Sequence, residues 1–167
     1  MKRFFGRLKL STISFSILAL LLNACVPDSP GNKTVNNNGV IINGTEVPPV
    51  ADLIPENISE GEQLYMEYCA SCHGINLEGA LNWKIPLEDG TLPPPPQDNS
   101  GHTWHHSDAI LQRIVLEGGA KLYGGTMPAF DDQLTQEQAA MILDYFKSQW
   151  GKDEREYQWW ITVTENK

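Results

Sequence analysis

Three stretches of the chain repeat apolar residues at helical spacing. Leu64, Tyr65, Tyr68 and Cys69 form the first, and Ser59-x-x-Glu62 ahead of them reads as a capping box, so a helix is expected from Ser59 into Cys69. Ser107 is the expected N-cap of a second helix, with Ile110, Leu111, Ile114 and Val115 on one face and Gly118-Gly119 as its stop. Thr135-x-x-Gln138 opens a third, which carries Ala139, Ile142, Leu143, Phe146 and Trp150 on one stripe and closes at Gly151. No stretch alternates as a buried strand, apart from a short segment in the tail. The expected fold is all-α, three to four short helices.

The N-terminus follows a different pattern. Lys2, Arg3, Arg7 and Lys9 precede an apolar run, Leu10–Leu22, of 13 residues. That run is too short to span a hydrocarbon core of roughly 30 Å as a helix, and with its basic flank it reads as an export signal over residues 1–24. The run ends at Leu22-Asn23-Ala24-Cys25, which resembles a bacterial lipobox and makes Cys25 the expected lipidated residue. Val26–Asn57, rich in Asn, Pro, Gly and Val and without helical or strand period, reads as a flexible tether. Residues 25–57 thus precede a domain expected at 58–151, with an aromatic-rich extension at 152–167.

Charge narrows the partners. Loss of residues 1–24 would remove four of the twelve basic residues and none of the 21 acidic ones; eight against 21 leaves a formal charge of −13. Nucleic acid and bare anionic membranes select for basic patches and are not expected partners.

The chemistry concentrates in Cys69-Ala70-Ser71-Cys72-His73. Thiols at i and i+3 with an imidazole at i+4 fall on one helix face. Two thioether bonds to one haem, with His73 turned toward the iron, need that arrangement, and C-x-x-C-H is the attachment pattern of haem c. A zinc site would require a fourth ligand, and the third cysteine of the chain is Cys25. An electron carrier fills the sixth iron position, commonly with Met. Met1 lies in the export signal, Met66 on the attachment helix and Met141 among apolar positions of the third helix. Met127, in Gly124-Gly125-Thr126-Met127-Pro128-Ala129-Phe130, remains the expected second metal ligand beside His73.

With these residues in place the chain resembles a class I monohaem cytochrome c over about residues 57–151. The resemblance rests on Cys69-Ala70-Ser71-Cys72-His73-Gly74, on Met127-Pro128-Ala129-Phe130, on Leu143-x-Tyr145-Phe146, and on the pair Gly61 and Tyr65, where first and last helices cross in that family. It implies a cytochrome c-like fold around one covalent haem, outer-sphere electron transfer, and export before haem attachment. It also implies a proline carbonyl accepting the axial imidazole N–H, from Pro86 or one of Pro93–Pro96.

Several residues stay open at this point. Trp104 and Arg113 are candidates to hold a haem propionate, against packing for the former and a solvated face for the latter. His102, His105 and His106 could bind copper or zinc, supply an alternative axial ligand, or be polar surface. Tyr157, Trp159, Trp160 and Ile161 either cover the domain itself or form a docking patch. No general acid/base pair or nucleophile arrangement is present, so the expectation is an electron carrier and not an enzyme. Its expected place is outside the cytoplasm, periplasmic or at the cell surface, anchored in the membrane through Cys25 beside redox partners. The alternative is a haem subunit of a redox enzyme, or a gas sensor, with an open sixth position.

Overall fold

A computed structural model describes residues 39–123 and 125–165. The expected export signal and Cys25 lie outside the described residues. From the described N-terminus the elements are β1 (Val40–Ile42), β2 (Thr45–Val47), α1 (Pro55–Tyr68), α2 (Ala70–His73), a 3-10 turn (Thr103–His105), α3 (Asp108–Glu117), α4 (Gly119–Tyr123), α5 (Gln136–Ser148) and α6 (Lys152–Thr164). The two strands pair antiparallel, with Val40 opposite Val47 and Ile42 opposite Thr45.

Helix α1 and helix α5 form the centre. Gly61 faces the backbone of Met141 and Ile142 with no room for a side chain between them. Tyr65, fully buried, meets the ring of Phe146 edge-on at 5.7 Å and that of Tyr145 at 5.5 Å. Asn57 Nδ2 donates to Asp144 Oδ2 at 3.1 Å farther along the same seam. Ile142, Leu143 and Ala139 from α5 and Leu111 and Val115 from α3 complete the core.

The helix starts divide into expected and unexpected. Ser107 caps α3 by accepting from Ile110 N, and Thr135 with Gln138 forms the reciprocal capping box of α5. Helix α1, by contrast, begins four residues before Ser59, behind an extended Ile54 and with Pro55 in its first turn. Pro55 supplies a helical φ and lacks the N–H that a first turn would leave unpaired, so no Ser59 cap is needed.

Two further departures lie at the ends. The hairpin β1–β2 falls inside the stretch read as tether, and Val47 at its end is 2% exposed. Its turn is Asn43-Gly44, both at positive φ, flanked by β-branched residues, which is a hairpin signature. The tail is helix α6 and has no strand character. Gln158, buried on α6, donates through Nε2 to Asp108 Oδ1 at 2.7 Å, to Thr162 Oγ1 at 3.0 Å and to His106 O at 3.2 Å. Asp108 also holds Lys147 Nζ at 2.8 Å, so α3, α5 and α6 meet at one carboxylate. Trp159 Nε1 donates to Pro48 O at 2.8 Å and Arg155 to Ala51 O at 3.0 Å. The tail aromatics thus cover this chain's own surface.

Candidate metal centre

The turn after α1 carries the two thiols and the imidazole. Cys69 N bonds to Tyr65 O, and Cys72 N and His73 N both return to Cys69 O, so the five residues wind as one compact turn. Gly74 ends it in the left-handed region, at φ 83°. Tyr65 reaches past its own helix to donate from its hydroxyl to Gly74 O at 2.5 Å, which fastens the turn to the core. Cys69 is buried and Cys72 exposed, and neither is in a disulfide. Burial, and then the neighbouring Cys72, push the Cys69 thiol up to about 12.

His73 is held from behind. The proline stretch pairs along the segment that follows the turn: Gln97 N donates to Leu77 O and Ala80 N to Pro94 O, both at 2.8 Å. That pairing sets Pro95 O 2.8 Å from His73 Nδ1. Of the prolines left open by the sequence, Pro95 is the one that supports the ring. With Nδ1 donating to a carbonyl, Nε2 is the ring nitrogen left without a proton, the form able to bind a metal. Burial pushes the His73 pKa below the usual histidine value, against an opposing pull from the Pro95 bond. A neutral imidazole is the form that binds a metal.

Gln97 is a participant that the sequence reading missed. It is buried, its Nε2 stands 3.0 Å from His73 Nδ1 and 3.3 Å from Pro95 O, and Thr103 Oγ1 donates to its Oε1 at 2.6 Å. Trp150 Nε1 donates to its main-chain oxygen at 2.8 Å. No local pattern marks it, because its role depends on the path of the loop between His73 and Thr103.

Met127 is half-buried and packs against the core. Its carbonyl accepts from Ala120 N at 3.3 Å, and Gly118 and Gly119 lie directly against residues 127–129. Phe130, three residues on, stands edge-on to Tyr68 at 6.1 Å, so this loop packs beside the residue that precedes Cys69.

The remaining candidates separate cleanly. Trp104 Nε1 is a buried donor without a partner among the described residues, as is Trp160 Nε1. Arg113 pairs with Glu117 at 3.5 Å and its side chain is 58% exposed, a solvated face. His102 stacks on Trp83 at 5.2 Å and meets His106 edge-on at 5.5 Å, while His105 packs on Trp104 and Tyr157. Among the described residues no group of three His, Cys, Asp or Glu side chains is placed to hold a metal ion, and what the structure shows for these three histidines is ring packing.

The residues fit a haem. Two free thiols and an imidazole supported at Nδ1 share one turn, and Trp104, packed against the core cluster that includes Cys69, carries an unpartnered indole N–H of the kind that suits a carboxylate such as a propionate.

The family described as "Cytochrome C oxidase, cbb3-type, subunit III" matches residues 56–146, from the start of α1 almost to the end of α5. The chain is a c-type cytochrome and belongs to that family. It is also 35% identical over 102 residues to Quinohemoprotein alcohol dehydrogenase ADH IIB of Pseudomonas putida, a match that covers 61% of this chain and 12% of that much longer protein. No solved structure matches the chain. Its cytochrome c fold carries haem-based electron transfer. The hairpin and α6 lie outside the family match.

Proposed function

We propose that the protein is a membrane-anchored, extracytoplasmic one-electron carrier with a single haem c, bound through Cys69 and Cys72 and ligated by His73 and Met127. The observation that carries the reading is the His73 Nδ1 to Pro95 O contact at 2.8 Å. It orients the imidazole and leaves Nε2 for iron, in the same turn as both thiols. The haem, when bound, supplies the Fe(II)/Fe(III) couple. The chain's own share would be to hold the His73 and Met127 side chains in fixed positions. Tyr65 clamps the turn at Gly74, and the Gly118-Gly119 backing supports the Met127 loop. Trp104 Nε1 is the donor proposed for a propionate.

Membrane attachment at Cys25 is supported by the apolar run and the lipobox resemblance, and donors and acceptors are redox proteins in or near that membrane. Mass spectrometry of the mature chain tests both covalent groups. The expected result is one haem on the 69–72 peptide and a diacyl group on an N-terminal Cys25. A Met127→Ala variant is expected to keep its haem while its reduction potential and ferric spectrum change. An unchanged potential and spectrum would exclude Met127 as ligand.

The similarity to a quinohaemoprotein alcohol dehydrogenase supports a second reading, the haem-bearing part of a redox enzyme. Carbon monoxide separates an open site from a closed one: a carrier with both positions filled leaves its reduced spectrum almost unaltered, and an open or labile sixth position shifts it.

A further inference from the structure

Pro95 O is within reach of two donors. His73 Nδ1 lies 2.8 Å from it and Gln97 Nε2 3.3 Å from it, with the two nitrogens 3.0 Å apart. Thr103 decides which end of the Gln97 amide faces them. Its hydroxyl donates to Oε1 at 2.6 Å, so the N–H side of the amide turns toward Pro95 and His73. An imidazole that gives Nε2 to iron keeps its proton on Nδ1 and cannot accept from Gln97. Both N–H groups therefore converge on a single carbonyl.

Rotation of Gln97 out of this arrangement is blocked at every polar atom. The residue is 8% exposed, and Thr103 is 6% exposed. Its main-chain N–H is held by Leu77 O and its carbonyl by Trp150 Nε1, both at 2.8 Å. A buried amide fastened on all sides keeps a fixed dipole beside the ring, and a fixed dipole next to an axial ligand acts on the metal.

We propose that Gln97, oriented by Thr103, is a positioning residue that tunes the axial imidazole: its amide N–H shares the Pro95 carbonyl with His73 and thereby weakens the His73 N–H···O bond. The inference rests on His73 being the iron ligand. A strong bond from Nδ1–H makes an axial imidazole more electron-rich and favours the ferric state; a shared acceptor works the other way and raises the reduction potential. Gln97 thus holds the potential above the value that Pro95 alone would set.

The test uses the haem-loaded chain, wild type beside Gln97→Leu, Thr103→Val and the double variant. Potentiometry is combined with the nitrogen NMR shift of His73 Nδ1 in the reduced, diamagnetic protein. Both single variants are expected to lower the potential and to move the Nδ1 resonance toward a stronger hydrogen bond. The double variant is expected to go no further than Gln97→Leu, because Thr103 acts through Gln97. A potential and a resonance unchanged in all three variants would reduce Gln97 to packing and overturn the proposal. A rise in potential with Gln97→Leu would overturn it too, since the oxygen end of the amide would then face the ring. Should Gln97→Leu fail to take up haem, Thr103→Val, nearly equal in volume, carries the measurement. A wild-type chain without low-spin bands on reduction would instead remove the ligation reading beneath it.

Discussion

The carbonyl of Met141 occupies the space into which a side chain on Gly61 would project. Two helix backbones, α1 and α5, touch there without side chains between them, and Tyr65 one turn later fills the wedge that opens.

Gly61→Ala is therefore expected to destabilise the haem-loaded protein despite the better helix propensity of alanine. Forcing a methyl into backbone contact costs about 1–3 kcal/mol, against a propensity gain of roughly 1 kcal/mol. Gly61→Val, with more volume and a branched Cβ, should lose more. The urea midpoint, read at unchanged slope, checks this; a midpoint that rises for Gly61→Ala refutes the close approach.

Gly118 combines two constraints at the back of the Met127 loop. Its φ is +80°, and a Cβ would meet Ala129 N at 2.7 Å and Met127 O at 2.8 Å. An extended backbone at positive φ, with ψ 148° here, is essentially a glycine conformation and costs another residue about 1–3 kcal/mol, and the clash pushes the loop itself. Gly118→Ala should lower stability by about 2 kcal/mol or more and, on the proposed Met127 ligation, loosen that ligand. The measurement is carbon monoxide uptake by the reduced protein, expected to increase over wild type. Uptake equal to wild type, with stability unchanged, rules out the loop's dependence on Gly118.

Helix α6 is an integral part of the domain. Gln158→Leu leaves Asp108 Oδ1 and His106 O without their amide donor in a part-buried setting, at about 1–2 kcal/mol. A chain truncated after Gly151 should unfold at lower urea than the single variant, as the tail's apolar cover goes too. Equal midpoints for truncated and full-length protein would return the tail aromatics to the docking-patch reading.

Acidification should weaken the loop that runs past Trp83. Desolvation, first, and then nearness to His106, His105 and Lys84 hold His102 below the ordinary histidine value of 6.5. Desolvation and then His105 do the same to His106, with Glu165 pulling the other way. The unfolded chain, titrating near 6.5, takes up protons first as pH falls, so stability is level above that value. It declines between that value and the lowered folded ones, and levels again once both states are protonated. Urea midpoints from pH 8 to pH 5 should trace this fall, and a His102→Asn/His106→Gln double variant should flatten it. An identical slope in wild type and double variant would assign the pH dependence elsewhere.

What could be read in advance followed from rules that act within a few residues. The Cys69–His73 spacing, the Ser107 cap and the Thr135–Gln138 box each depend on contacts inside one or two turns, and each appears where its spacing places it. Gly61 was legible through the family resemblance, which places a small residue where first and last helices cross; the close approach of Met141 is its physical reason. The hairpin was missed: Asn43-Gly44 between Val40–Ile42 and Thr45–Val47 is a turn dipeptide between β-branched residues, but the polar composition around it read as a tether. Gln97 and Thr103 were not legible either. Their meaning comes from a loop of some thirty residues folding back, and no period or short motif encodes where such a loop returns. The start of α1 was displaced because Pro55 outcompetes Ser59 as an initiator.

The clips from Trp159 to Pro48 and from Arg155 to Ala51 bear on mechanics. A pull on the chain upstream of Pro48 is delivered to the closing helix before it can reach α1, and so bypasses the turn that carries Cys69, Cys72 and His73. Strain relief of this kind would let the upstream chain be tugged with those two bonds taking the load first.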